Sequence, residues 1–433
     1  MATSPAAASQ AAPHAVILEA PAVEERVSPL AVGSWALYDF ANTIFSMNIV
    51  SVFFPGFILQ LGLRDAAYAF PMSAALLVVA LLMPLLGAMS DRAGRRMPWL
   101  IGFTLLCIGM TVVMGLTDQV WLLIGAYVIA SIGYQTALVF YDALLPSVSN
   151  TVNWGKVSGL GVGLGYAGAV GGLWVVTRLV GGGSQQNAFI PSALLFMVFA
   201  LPCFLFVRER RRPQAPERIA IAWRQGVSQT WRTIQEARAV PGLLRFLVAN
   251  FFYSDALNTV IIAMGVYATT VIGFGTALEV LGPATVAAVI GSWLFGLVTD
   301  RLTSKQSLII SLLMWVGVFL AAMFVTDRVL FQWVVAPVAG VALGSTWTAA
   351  RTMMVELSPP ERLGEFMGIY NLTGKFAAVL GPALWGGTLW LLNPDVYGRF
   401  AYQVAIGTLL VMVVIGFVLH LFTPNIKRVK HVS

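Results

Sequence analysis

Charge is scarce in this chain: of 433 residues only 10% are Asp, Glu, Lys or Arg, against 58% that are apolar. Soluble domains carry about 25% charged residues, so a fold surrounded by water is excluded before any motif is considered. Cysteine is nearly absent. Cys107 and Cys203 both fall inside apolar stretches, which argues for two small buried side chains rather than a disulfide framework. Histidine is as rare: His14 and His431 lie near the chain ends and His420 near the end of the last apolar stretch, without metal-ligand spacing, so no metal site is expected. There is no Walker phosphate loop, so direct ATP drive within this chain is not expected. No cofactor signature is found. Residues 1–29, rich in Ala and Pro, lack the basic start and apolar run of a secretory signal and read as a disordered tail.

What the chain has in abundance is long apolar runs, with a mean hydropathy of +0.82. A helix needs roughly 20 apolar residues to cross the hydrocarbon layer. Twelve such spans are expected, at about 31–58, 70–90, 98–117, 120–145, 157–180, 188–207, 242–272, 277–299, 306–326, 329–354, 364–391 and 398–422. They are called spans 1 to 12 below. The fold class expected is an all-α polytopic membrane protein of two six-helix bundles, residues 30–208 and 242–423. A basic linker, 209–241, joins them, and a short tail, 424–433, follows. Trp223 and Trp231 suggest a surface-lying helix in the linker. With an even number of spans, twenty of the twenty-six Lys and Arg residues fall on one side, including nine arginines between Arg208 and Arg245. By the positive-inside tendency that side and both termini are cytoplasmic, as in a bacterial-type inner membrane. The net charge of +7 is then met by anionic lipid, and nucleic acid is not an expected partner.

The second half repeats the first. Gly87, Asp91, Arg92, Gly94, Arg95 and Arg96 spell G-x-x-x-D-R-x-G-R-R between spans 2 and 3, and Gly296, Asp300 and Arg301 repeat its core 209 residues later. Asp39, Asn42 and Thr43 in span 1 form D-x-x-N-T, which returns as Asp255, Asn258 and Thr259 in span 7. The 209-residue shift also places Gly155, Gly159, Gly165 and Gly172 of span 5 on Gly364, Gly368, Gly374 and Gly381 of span 11, and Asp142 on Arg351. Two copies of a six-helix unit are a recurring way to build a transporter, with the substrate site between the halves.

Twelve spans, the basic central loop and the Gly87–Arg96 signature resemble the major facilitator superfamily over about residues 30–425. Within it, Trp35-Ala-Leu-Tyr38-Asp39-Phe40-Ala41-Asn42-Thr43 and Phe140-Tyr141-Asp142-Ala143-Leu144-Leu145-Pro146 are similar to signatures of the vacuole-effluxer-like branch, whose fungal members export amino acids from the vacuole. Asp142 departs from that branch, where an amide is common. The resemblance implies alternating access, a cavity lined by spans 1, 4, 7 and 10, and a loop in which Asp91 and Arg92 hold the halves together in the outward-facing state. The fold it implies works as a monomer.

Charges inside spans cost roughly 2.5–3.5 kcal/mol each at mid-helix and must face protein or water. Asp39, beside Tyr38, Asn42 and Thr43, is a candidate for a coupling proton or cation, or for a substrate ammonium, and Asp255 with Asn258 is its repeat. The bland alternative is a buried Asp tied to backbone. Lys375, with Asn371 one turn before it, could meet a substrate carboxylate or form a structural pair. Arg351 and Asp142 could form a pair between halves that opens and closes with the inner gate. Gly87, Asp91, Arg92, Arg95, Asp300 and Arg301 are gating candidates, against the plainer reading of a positive-inside anchor. Glu356 reads as solvated. Gly163, Gly165 and Gly168 match G-x-G-x-x-G but lack the strand and βαβ setting of a dinucleotide site, so close helix packing is expected there. An enzyme is not expected, because the intramembrane charges are spread over spans 1, 4, 7, 10 and 11 rather than clustered. The leading expectation is a secondary transporter for a small polar metabolite such as an amino acid, driven by a proton or sodium gradient. A cation-coupled sugar-type symporter is the alternative, and a non-transporting membrane sensor or scaffold a third.

Overall fold

A computed structural model of the chain describes residues 17–18, 28–62, 93–181, 183–209, 238, 240–275, 278–425 and 427–428. From span 2 it describes Ala75, Val78, Val79, Leu82, Met83, Leu86, Gly87, Met89, Ser90 and Asp91. The expected linker helix around Trp223 and Trp231, the Arg92 position and the Lys375 side chain lie outside the described residues.

Span 1 begins at Pro29, whose fixed φ and missing N–H suit a helix start. It runs as an α-helix to Phe45, as π-helix over Ser46–Phe53 and again as α-helix over Phe54–Gln60. Spans 3 to 6 are Met97–Leu116, Val120–Ala143, Trp154–Val180 and Phe189–Phe206. Span 7 is Leu243–Tyr267, continued by π-helix over Ala268–Ile272. Spans 8 and 9 are Leu278–Arg301 and Ser304–Phe324. Span 10 starts with Arg328–Leu330, passes through a π segment Phe331–Val335 and continues as Ala336–Leu357. Spans 11 and 12 are Leu363–Leu391 and Arg399–Leu421. Among the described residues, nine helices are long and apolar enough to cross a membrane. Spans 7 and 11 are as long, and they carry Asn250, Asp255, Asn258, Asn371 and Lys375.

Inside each half, packing is between apolar faces, while large apolar side chains also cover the outside. Trp121, Trp174, Trp333 and Trp390 are exposed, and all four lie toward the end of the bundle away from the basic loops. That is the aromatic belt a lipid interface selects. The protein is an integral multi-pass membrane protein. Among the described residues, the halves meet through span 5 against spans 8 and 10, span 11 against span 4, and the end of span 2 against the start of span 11. The glycine-rich stretch of span 5 settles as packing: Gly161 faces Trp35 and Tyr141, Gly165 faces Asp39 and Thr43, Gly168 lies on the Phe40 carbonyl, and Gly163 faces Val289 of span 8.

Ile17 and Leu18 pair in parallel with Lys427 and Arg428. One expectation changes. Glu356 is not solvated: it is 3% exposed and accepts a hydrogen bond from the Ser304 hydroxyl, because the start of span 9 folds over the end of span 10.

Candidate functional site

At the basic end, the sequence repeat becomes a reciprocal clasp. Asp91, at the end of span 2, accepts hydrogen bonds from the backbone amides of Gly364 (3.1 Å) and Glu365 (2.9 Å), the first residues of span 11 in the other half. Asp300, at the end of span 8, accepts from Gly155 (2.8 Å) and Lys156 (2.7 Å), the first residues of span 5. Each carboxylate therefore crosses between halves to a helix N-terminus, where orphan amides and the helix dipole favour an anion. Close approach is possible because glycines face each other. A Cβ on Gly155 would lie 2.7 Å from the Gly296 carbonyl oxygen, and one on Gly296 equally close to that of Gly155. Gly87 sits on the Gly364 carbonyl in the same way.

The two clasps differ in one residue. Arg96 is buried and donates to Asp91 through Nε (3.1 Å) and Nη2 (2.5 Å), and to the Ala143 carbonyl at the end of span 4 through Nη1 (3.0 Å). The repeat puts Lys305 at the matching place, and its ammonium instead donates to the Leu421 and Thr423 carbonyls at the end of span 12. Arg95 and Arg301, expected in the gate, are exposed at the rim. Arg96 belonged to the signature but its burial could not be read from spacing. Glu209, also not anticipated, accepts from the Arg96 and Met97 amides and so caps span 3. Substituting Asp91 by Asn is expected to destabilise the closed arrangement more than Asp300→Asn. The first strands a buried guanidinium, a loss of about 3–5 kcal/mol, whereas Asp300 is half-buried, where water screens its interactions, and the loss of its charge-assisted bonds to the Gly155 and Lys156 amides costs about 1–2 kcal/mol. Thermal unfolding of the two variants side by side checks the order, and equal losses would refute the role given to Arg96.

Deeper in the bundle, Arg351 of span 10 gathers the expected intramembrane acids. Its Nη2 lies 3.2 Å from Asp39 Oδ2 in span 1, and its Nε 3.0 Å from Asp142 Oδ1 in span 4. Asn371 of span 11 donates to Asp142 Oδ2 (3.3 Å). Arg351 and Asp142 are thus in contact, and the same guanidinium also holds Asp39, so the three residues form one cluster. The guanidinium faces Trp35 and Tyr141 with its carbon 5.7 and 5.4 Å from the ring centroids. Those rings stack on each other at 4.4 Å, and the Trp35 indole donates to the Tyr141 carbonyl. The aromatic walls fix Arg351 and add a cation–π contribution. Formally the cluster carries one positive and two negative charges.

The cluster opens on a cavity of about 200 Å³ lined by Asp39, Thr43, Val162, Gly165, Tyr166, Trp347 and Arg351. At ~30 Å³ per water this is room for about six waters or a small metabolite. Thr43 lines it with its hydroxyl bonded to the Asp39 carbonyl. Tyr38 does not: its hydroxyl is turned into the first half, 2.6 Å from Thr104 Oγ1, and its ring stacks on Tyr141. Asn42 is buried outside the cavity, and Asn258 is half-buried in span 7. Asp255 is fully buried and accepts from the Gly381 amide (2.8 Å), away from the Arg351 cluster. Trp347 and Tyr166 were not singled out in the sequence, although Trp347 stands one helical turn before Arg351 and shares its face.

A family model described as Major Facilitator Superfamily matches residues 40–382 and 280–432. The chain belongs to that superfamily. This facilitator is 28% identical to the MFS-type transporter YxiO of Bacillus subtilis over 415 residues, 90% of this chain and 94% of that protein. It is 28% identical to autophagy-related protein 22-1 of Aspergillus niger over 260 residues, 53% of this chain and 42% of that longer protein. Among solved structures, the human organic anion transporter MFSD10 (TETRAN) superposes with a TM-score of 0.72 at 15% identity, over 91% of this chain and 99% of that one. The proton:xylose symporter XylE does so with 0.66 at 14%, over 90% and 93%. At such identities the two structures share the facilitator fold alone, and the two-bundle architecture expected from the repeat is that fold.

Proposed function

We propose that this facilitator is a secondary active transporter for a small zwitterionic metabolite of the amino-acid class, working by alternating access with Asp39, Arg351 and Asp142 as its central site. The observation that carries this reading is one guanidinium shared by two carboxylates from the opposite half at the edge of a cavity of metabolite size. A substrate carboxylate can take Arg351 from Asp39, and the freed Asp39 can then hold the substrate ammonium, so binding exchanges one ion pair for two without adding net charge. Both partners come from different halves, so the exchange alters what holds the halves together. A proton or sodium gradient drives the cycle.

The basic end is the cytoplasmic side in this reading, and the Asp91 and Asp300 clasps hold it shut, leaving the cavity to be served from the other side. The resemblance of Trp35–Thr43 and Phe140–Pro146 to signatures of the vacuole-effluxer-like branch supports the amino-acid class, while likeness to YxiO supports transport without naming a solute.

Uptake into proteoliposomes tests the proposal. Purified protein is reconstituted with an equimolar mixture of labelled L-amino acids outside, with and without an imposed pH or sodium gradient, and with labelled xylose and an organic anion as comparators. Gradient-dependent amino-acid accumulation that Asp39→Asn abolishes is the expected result. Accumulation of xylose alone would replace this reading with the sugar-symporter one.

A further inference from the structure

The repeat that pairs Asp39 with Arg351 denies its second copy any such partner. Asp255 is the counterpart of Asp39, and Asp142 the counterpart of Arg351, so the pseudo-symmetric mate of the Asp39–Arg351 ion pair would join two carboxylates. Asp142 goes to Arg351 instead. Asp255 is left fully buried in span 7, one oxygen accepting from the Gly381 amide (2.8 Å) and the other, Oδ1, without a hydrogen-bond partner.

Among the described residues, the charged and most of the titratable groups on the packed spans are engaged elsewhere or lie at the span ends. In span 11 the Tyr370 ring stacks on Phe246, and Glu365 meets Arg362 near the basic end. In span 12 His420 lies against the Lys305 carbonyl, Arg399 donates to the Met323 and Val325 carbonyls, and the Tyr402 ring lies against Tyr267 and Trp385. Arg351 of span 10 is held by Asp39 and Asp142, and Glu356 by Ser304, while Glu279 and Asp300 of span 8 bond at its two ends and Arg301 is exposed there. On span 7 itself, Tyr267 donates to the Ala322 carbonyl and Arg245 to that of Phe422; Tyr253 is buried. The side chain of Lys375, six residues before Gly381, is outside the described residues. One backbone hydrogen bond does not compensate an ionised carboxylate held out of water, whereas a neutral acid leaves only a hydroxyl unpaired. A metal cation is the poorer occupant: hard cations ask for six or more oxygens, and here the Gly381 N–H points at the carboxylate.

We infer that Asp255 is a proton-binding site, separate from the Arg351 cluster, that carries the coupling proton at the junction of spans 7 and 11. The junction is built to feel the proton. Gly381 packs without a side chain against Asp255 and Thr259, and the next residue, Pro382, interrupts the helix ladder of span 11. Loss of the proton leaves a charge that this dry contact cannot hold, so span 11 must move to admit water or a cation. The same span carries Gly364 and Glu365, which the Asp91 clasp grips, and Asn371, which touches Asp142.

The inference rests on the proton-driven form of the transport reading, yet the two fail separately. Infrared difference spectroscopy of the full chain in lipid, with no substrate, is recorded from acidic to alkaline pH. A protonated-carboxyl band at acidic pH that fades on alkalinisation, is missing in Asp255→Asn and returns at a shifted frequency in Asp255→Glu is expected. A band absent from the native protein means that Asp255 is ionised, paired by Lys375 or water, and overturns the inference. In proteoliposomes that exchange labelled amino acids, Asp255→Asn should keep exchange and lose accumulation driven by a pH gradient. Accumulation intact in that variant would make Asp255 a structural neutral acid and overturn the coupling role. If no amino acid moves at all, the substrate proposal falls and the infrared titration still decides whether Asp255 binds a proton.

Discussion

Arg351→Met is expected to abolish transport and to cost the protein about 3–5 kcal/mol of stability, the range for removing one partner of a buried ion pair. Asp39 and Asp142 side chains are only 10% and 8% exposed, so neither can recover its loss by turning to water. At an effective dielectric near 20 each carboxylate gains about 4 kcal/mol from a cation at 4 Å, and removing the cation leaves two like charges facing each other. The effect should be conditional on those charges. In the triple variant Arg351→Met, Asp39→Asn, Asp142→Asn, most of the stability should return while transport stays absent. Thermal unfolding with amino-acid uptake measures both parts. A single variant as stable as the native protein would mean that the cluster is solvated and the central site is misassigned.

A valine placed at Gly159 should prevent the basic end from closing. A Cβ there would fall onto the Ser292 carbonyl oxygen of span 8 and within 3.0 Å of the Gly296 Cα, both of them backbone atoms that cannot rotate away. Overpacking typically costs 1–3 kcal/mol, and reversing an equilibrium from 99:1 to 1:99 takes about 5.5 kcal/mol. Gly159→Val, which adds two further methyls to the same contact, is therefore expected to turn a mostly closed population into a mostly open one. Spin labels at Arg95→Cys and Arg301→Cys, both at the exposed rim, read the separation of the halves, with Cys107 and Cys203 buried from the label. The mean distance should lengthen in Gly159→Val. An unchanged distance would show that the Gly159–Ser292 contact is not where the halves close.

Much of this was legible in the sequence because membrane insertion punishes irregularity. Charges such as Asp39, Asp142, Asp255 and Arg351 stand out in spans where each costs several kcal/mol, and the 209-residue offset marked Asp91 and Asp300 as equivalents before either was seen on a helix N-terminus. The pairing was harder to read. Spacing can place Tyr38 and Asp39 on adjacent positions of one helix but cannot say that Tyr38 turns inward to Thr104 while Asp39 faces the cavity. Likewise Arg92, Arg95 and Arg96 are three cations in one loop, and which of them is buried depends on where span 4 ends, since the Ala143 carbonyl helps hold Arg96. Trp35 and Tyr141 looked like family signature alone; their work is to box in a guanidinium from the other half, a contact across more than 200 residues of chain.

Spans 1, 7 and 10 each contain a stretch of π-helix, Ser46–Phe53, Ala268–Ile272 and Phe331–Val335, all toward the end of the bundle away from the Asp91 and Asp300 clasps. A wider turn leaves the backbone ladder one residue out of step, with longer bonds and a surplus carbonyl, and helices bend most readily at such places. The molecule is therefore built with a stiff jaw and a pliant lip. In the alternating-access cycle proposed above, glycine-to-backbone contact at the basic end would be either touching or apart, while the three wound-out segments opposite would let the far rim narrow by degrees, each span flexing within itself as the halves rock.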